Sequence, residues 1–269
     1  MSKKVRTKVD EKRYSLHVQE PMAGHNKWSK IKRLKSVNDA KKGKIYTKLN
    51  REITVAVKNG GSDPEGNPRL RAALIMARNE NMPKDNIERA IKKAAGELGN
   101  IIYEEASFEG YGPSGAAVII DVLTDNRNRV VPEIRHALSK HGGNLGENGS
   151  VSWNFETKGY LAVSKDTANE DQLMEWSLEA GAEDMKSEDD VFEILTDPSD
   201  FADVKTRLEE KGITFVSAQI SKLPKTMVEL QGADAEKMIK IIDTLEDNDD
   251  VQNVWTNANI PDEIMNKHS

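Results

Sequence analysis

Apolar residues recur at three- and four-residue steps between Ser36 and Gly61. Ile45, Leu49, Ile53, Ala56 and Val57 share one face and Gly60-Gly61 closes the run, so the spacing predicts a long helix. Asn67-Pro68 is a cap followed by a first-turn proline and opens a second helix, with Leu70, Ala73, Leu74 and Ala77 on its inner side. Pro83 starts a third, with Ile87, Ala90, Ile91 and Ala94 inward and Gly96 or Gly99 as its stop. The three make a small helical domain. Its short link at Asn81-Met82 has the length of a helix-turn-helix, but nothing in the pattern marks a base-reading helix.

After residue 100 the period changes. Ala116–Leu123 reads as a strand, Val130–His141 as a helix and Ser150–Phe155 as a strand; much later come a strand at Thr226–Leu230, a helix at Ala233–Leu245 and a strand at Val251–Trp255. Between them lies a second βαββαβ set: strand Tyr160–Val163, helix Glu170–Ala180, strands near Glu183–Met185 and at Val191–Leu195, helix Phe201–Glu210 and strand Thr214–Ile220. Hairpin tips tolerate insertion, so the economical arrangement is one ferredoxin-like unit set inside another. The fold class expected is α+β, an N-terminal three-helix domain followed by two ferredoxin-like α/β domains, one inserted into the other. The segments are a flexible extension at 1–21, a basic helical domain at 22–100, a discontinuous domain at 101–156 and 226–269, and an inserted domain at 157–225. Alternation along 150–156 sends Trp153 and Phe155 into the core with Val151.

Charge adds a partner to this outline. Residues 1–100 carry 24 Lys and Arg against 11 Asp and Glu, and residues 101–269 carry 15 against 34; net charges of +13 and −19 combine to the −6 of the whole chain. A basic block of this kind is the footprint of a phosphate-backbone binder, and an acidic body would be repelled by the same polyanion. The chain has no cysteine, which excludes disulfides, thiolate zinc sites and cysteine nucleophiles and fits a reducing compartment. No apolar run approaches the roughly 18 residues that span a bilayer, and the first 21 residues, which end at Pro21 before Met22, lack a signal-peptide core. The cytoplasm is the expected location, with no membrane partner.

The candidate site follows from where the cations fall. In GHNKWSKIKRLK, residues 24–35, Lys27, Lys30, Lys32, Arg33 and Lys35 surround Trp28. On the following helix Lys41, Lys44, Lys48, Arg51 and Lys58 share a stripe about 100° wide beside the apolar face. These ten cations are the expected phosphate contacts. His25 and Trp28 are candidate stackers on a base or sugar, Trp28 serving otherwise as an anchor in the bundle. A secondary contact is expected at Arg127 and Arg129 in the loop 125–129, where turn chemistry accounts for Asp125, Asn126 and Asn128. The glycine-rich run 142–149 lacks the Lys-Ser/Thr of a nucleotide loop and is expected to be mobile. His136 and His141 are five apart, the wrong spacing for a shared metal, and the acidic runs 188–190 and 247–250 lack calcium-loop spacing. No nucleophile with its base and no paired-carboxylate site is legible, so catalysis, metal and cofactor are not expected.

Long blocks carry a family resemblance. MAGHNKWSKIK (22–32), NDAKKGKIYTKLNREI, GGSDPEGNPRLRAALIMARNENMPKDNIERAIKKA, EGYGPSGAAVIIDVLTDNRNR and GGNLGENGSVSWNFE together resemble the YebC/PmpR family over nearly everything from Met22 onward. The resemblance implies a helical domain plus two α/β domains with one inserted. It also implies a cytoplasmic, DNA-binding transcriptional regulator, while relatives such as the mitochondrial translational activator of cytochrome c oxidase imply action on translation at the ribosome. Three functional classes therefore stand: a non-enzymatic DNA-binding regulator, a factor associated with ribosomal RNA, and a small-molecule sensor built on the paired domains. DNA or ribosomal RNA is the expected partner, and oligomeric state is not legible.

Overall fold

The computed structural model describes residues 39–96, 102–188 and 190–267. Helix α1 spans Asp39–Gly60, α2 Pro68–Asn79 and α3 Lys84–Ala95. They enclose one core of Leu49, Ile53, Ala56, Val57, Leu70, Ala73, Leu74, Ala77, Met82 and Ile87. Asn67 explains the angle between the first two. Its side-chain oxygen accepts the Leu70 N–H at 3.0 Å, capping α2, while its amide donates to the carbonyls of Ala56 on α1 (2.7 Å) and of Gly61 just past its end (2.8 Å). Between α2 and α3, Asn81 takes φ 56° and its carbonyl accepts the Tyr46 hydroxyl at 2.8 Å, tying the turn back to α1.

The next unit contains β1 (Glu104–Tyr111), β2 (Ala117–Thr124), α4 (Arg127–Lys140) and β3 (Asn144–Leu145). The inserted unit follows: β4 (Phe155–Ser164), α5 (Glu170–Ala180), β5 (Asp184–Ser187), β6 (Val191–Thr196), α6 (Phe201–Glu210) and β7 (Ser217–Pro224). The chain then returns through β8 (Val228–Glu229), α7 (Gly232–Glu246), β9 (Val251–Thr256), β10 (Ala258–Asn259) and α8 (Asp262–Lys267). Sheet orders are β3-β1-β2-β9 and β5-β6-β4-β7, each antiparallel throughout. The inserted unit has the βαββαβ connectivity of a ferredoxin-like fold; the first has the same antiparallel layout with two helices on the sheet but runs ββαβ before the insertion and αβ after it, and it closes only when β9, across the whole insertion, pairs with β2. Val118, Ile120 and Val122 of β2 pack under α4 and α7, and Leu161 and Val163 of β4 pack under α5 and α6.

Two expected strands differ. An inner position of the first sheet, between β3 and β2, is held by β1, which precedes the first strand expected, and Thr226–Leu230 shrinks to β8, paired in parallel with β10 outside the main sheet. Ser150–Phe155 is not a strand of this sheet either: Ser152–Asn154 forms a 3-10 turn and Phe155 already opens β4. Asn154 is the reason. Buried at 3% exposure, it accepts from the Thr226 N–H (3.0 Å) and hydroxyl (2.7 Å) and donates to the Thr226 carbonyl, while its own carbonyl accepts the Lys225 N–H at 2.7 Å. One side chain thus clamps the entry and exit of the insertion.

Candidate nucleic-acid interface

The stripe of α1 meets the rest of the protein at one corner, where α7 ends and β2 passes into α4. Lys44 Nζ lies 3.0 Å from the Asp247 carboxylate, and Lys48 Nζ donates to the Glu246 carbonyl at 2.7 Å, a cation on the last carbonyls of a helix. Arg51 donates to the Asp250 carboxylate and to the Leu123 carbonyl (3.1 Å), with its guanidinium 5.7 Å from the centroid of the Tyr103 ring. Asp250, 2% exposed, also accepts from Arg129 at 2.7 Å and Thr124 at 3.1 Å. Burial pushes this carboxyl up, but the hydrogen bonds from Arg129 and Arg51 outweigh it and hold the group below the usual carboxylate range. The corner is a closed ion network joining helical domain to body.

Of the expected site residues, Lys44, Lys48, Arg51 and Arg129 are brought together at this corner. Arg127 pairs with Glu104 at 2.8 Å over the Phe108 ring. Lys58 is exposed beside a cleft of about 470 Å³ lined by Val55, Asn59, Arg69, Ile102 and Tyr103. Lys41 lies on α1. His25, Lys27, Trp28, Lys30, Lys32, Arg33 and Lys35, like the extension at 1–21, fall outside the described residues.

Several residues were not singled out from sequence. Arg69 bridges Glu52 (2.7 and 3.0 Å) and Glu105 (2.5 Å), a second tie between helical domain and body. Arg78, Lys84, Arg89, Lys92 and Lys93 are exposed on α2 and α3, and their helical spacing was the available signal. Glu109 is 8% exposed and its carboxylate accepts the N–H groups of Gly149 (2.8 Å), Val151 (2.7 Å) and Ser152 (2.9 Å). Burial raises its pKa, but these three donors win and the group titrates below the ordinary range. The glycine-rich loop expected to be mobile is therefore wrapped around an anion, with Gly149 at φ +85° as the turn requires and Gly146 N–H on the Glu109 carbonyl. Trp153, expected in the core, is 68% exposed at the end of that loop, because the 3-10 turn breaks the strand alternation.

Among the described residues no helix is long and apolar enough to cross a membrane, and no group of three or more His, Asp or Glu is placed to hold a metal ion.

A three-helix unit locked by ion pairs to two four-stranded antiparallel sheets, each with its helices, defines an α+β protein. Family models for the TACO1/YebC N-terminal domain and for the TACO1/YebC second and third domains match residues 26–97 and 103–258. The chain belongs to the TACO1/YebC family. It is 55% identical over 243 residues to a "probable transcriptional regulatory protein" of Desulfosudis oleivorans, covering 90% of this chain and 99% of the relative. A protein of the same description from Syntrophus aciditrophicus is 56% identical over 249 residues, covering 92% and 100%. The crystal structure of a conserved hypothetical protein from Aquifex aeolicus is similar with TM-score 0.74 and 48% identity, over 83% of this chain and 92% of that one.

Proposed function

We propose that the chain is a non-enzymatic, cytoplasmic regulator of gene expression that binds nucleic acid through phosphates, using the helical domain. The observation that supports this most directly is the division of the cations. Lys44, Lys48 and Arg51 hold the acidic body, which fixes the domain's orientation, while Arg78, Lys92 and Lys93 stand exposed on its other helices. Lys27, Lys30, Lys32, Arg33, Lys35, Lys41 and Lys58 complete the phosphate-binding set in this reading, with His25 and Trp28 stacking. The relatives' description as transcriptional regulators agrees with it. Recognition of backbone without a base-reading helix equally suits ribosomal RNA, the second reading.

Charge reversal of Lys92 and Lys93 tests the surface. Removing two phosphate contacts should flatten the dependence of log affinity on log salt by about 1.4 for a single strand or about 1.8 for a duplex. An unchanged slope removes α3 from the interface. Crosslinking in cells with sequencing of bound DNA and RNA decides the target: promoter DNA would mean transcription, ribosomal RNA translation, and recovery of neither would refute the function.

A further inference from the structure

We propose that Trp153 is a base-stacking platform for single-stranded nucleic acid held by the helical domain, an inference that rests on the function just proposed. An indole at 68% exposure leaves much of its large apolar area in water, where burial would have stabilised the fold. Exposure here is not looseness. The Nε1–H donates to the Ser150 carbonyl at 2.9 Å, and the same carbonyl accepts the Tyr111 hydroxyl at 2.9 Å. On the N-terminal side Glu109 pins the backbone of Gly149, Val151 and Ser152; on the C-terminal side buried Asn154 is clamped to Thr226. The ring is thus presented from a backbone fixed on both sides.

With its only donor engaged within the turn, the indole offers its faces, the part of tryptophan that stacks on any base. The neighbours Glu147, Asn148, Gly149 and Ser152 are exposed, so the turn is open to a partner, and a base of a strand whose phosphates the helical domain holds is the partner the proposed function supplies. Lys225 is exposed, and its backbone N–H donates to the carbonyl of Asn154, the residue that follows Trp153. Strand β1 separates this turn from the helical domain: Glu105 contacts Arg69 at one end, and Tyr111 holds Ser150 at the other. At 3.3 Å per residue the two lie about 20 Å apart, so one strand touching both must bridge that span.

The test uses the full chain and a fluorescein-labelled single-stranded RNA of about 20 nucleotides, long enough to cover the gap. Trp153→Ala should weaken binding by about 5- to 100-fold at constant salt while leaving the salt slope unchanged, and Trp153→Phe should recover most of the loss. Affinity for a blunt duplex, whose bases are already stacked, should not change. Wild-type affinity in Trp153→Ala overturns the proposal, as does an equal loss on duplex. Unchanged oligonucleotide affinity with loss of co-sedimentation on purified ribosomes would assign the ring to a protein contact and also overturn it. A wild-type chain that binds no RNA at low salt would instead sink the proposed function itself.

Discussion

The corner around Asp250 yields a sharp energetic prediction. Asp250 is the one acceptor shared by Arg51, Arg129 and Thr124, and Arg51 has a side chain only 15% exposed. Asp250→Asn keeps the shape and removes the charge, leaving the half-buried Arg51 without its counter-ion while Arg129 keeps Asp125 at 2.9 Å. Breaking a buried pair in this way costs about 3–5 kcal/mol, and the exposed edge of Arg129 (44%) places the value near the lower end. Arg51→Ala leaves Asp250 two other donors and should cost about 2 kcal/mol, the scale of one charged hydrogen bond. Because the second substitution meets a network already broken, the double variant should fall short of additivity by at least ~1 kcal/mol. Urea denaturation followed by far-UV circular dichroism at pH 7 measures all three. The sign with pH follows from the carboxyl being held low in the folded state. Its contribution is full above the unfolded value near pH 4 and is lost as pH falls through the lower folded value, so wild type and Asp250→Asn should converge only in acid. Both single variants within about 0.5 kcal/mol of wild type, or strict additivity, would refute the network.

Three further outcomes are expected. Glu193, 3% exposed in the inserted domain and bonded to the Tyr160 hydroxyl at 2.7 Å, is pushed up to about 7 by burial. The folded chain therefore keeps a proton the unfolded chain releases: stability should decline by about 3 kcal/mol between roughly pH 4.5 and 7 from this group. Subtracting the pH profile of Glu193→Gln should reveal that decline, and parallel profiles would count against it. Glu109→Ala removes the acceptor of three backbone N–H groups and should cost about 3 kcal/mol, with new protease cleavage at residues 146–152; an uncut loop would be the contrary result. Asn154→Ala should open the clamp, cost about 1–3 kcal/mol and expose the Thr226 bond to limited proteolysis, so wild-type resistance in that variant would contradict it.

Much of the fold was legible because its cores are periodic. The three helices, the elements of the inserted unit and the helix 232–246 follow directly from apolar spacing. Strand β1 escaped because EEASFEGY has no clean alternation: Glu109 points its carboxylate at a loop and Gly110 lies against the Asn144 backbone, so polar and small residues occupy positions a strand pattern reserves for apolar ones. Trp153 was misplaced for the converse reason. VSWNFE does alternate, but Asn154 binds across to Thr226, 72 residues away, and the turn this imposes cannot be read locally.

The same limit governs the site. Sequence shows a basic stripe at 41–58 and an acidic run at 247–250, and long-range electrostatics alone says they attract. It does not say that Arg51 and Asp250, 199 residues apart, meet where water is largely excluded. That pairing changes what the stripe can do, since a cation held by a buried carboxylate is withdrawn from a polyanion unless the corner opens. Charge asymmetry thus acts twice in this chain. It fixes the helical domain on the body through Lys44, Lys48, Arg51 and Arg69, and it leaves Arg78, Lys92 and Lys93 of α2 and α3 exposed, so the phosphate contacts proposed for them would not contest the joint.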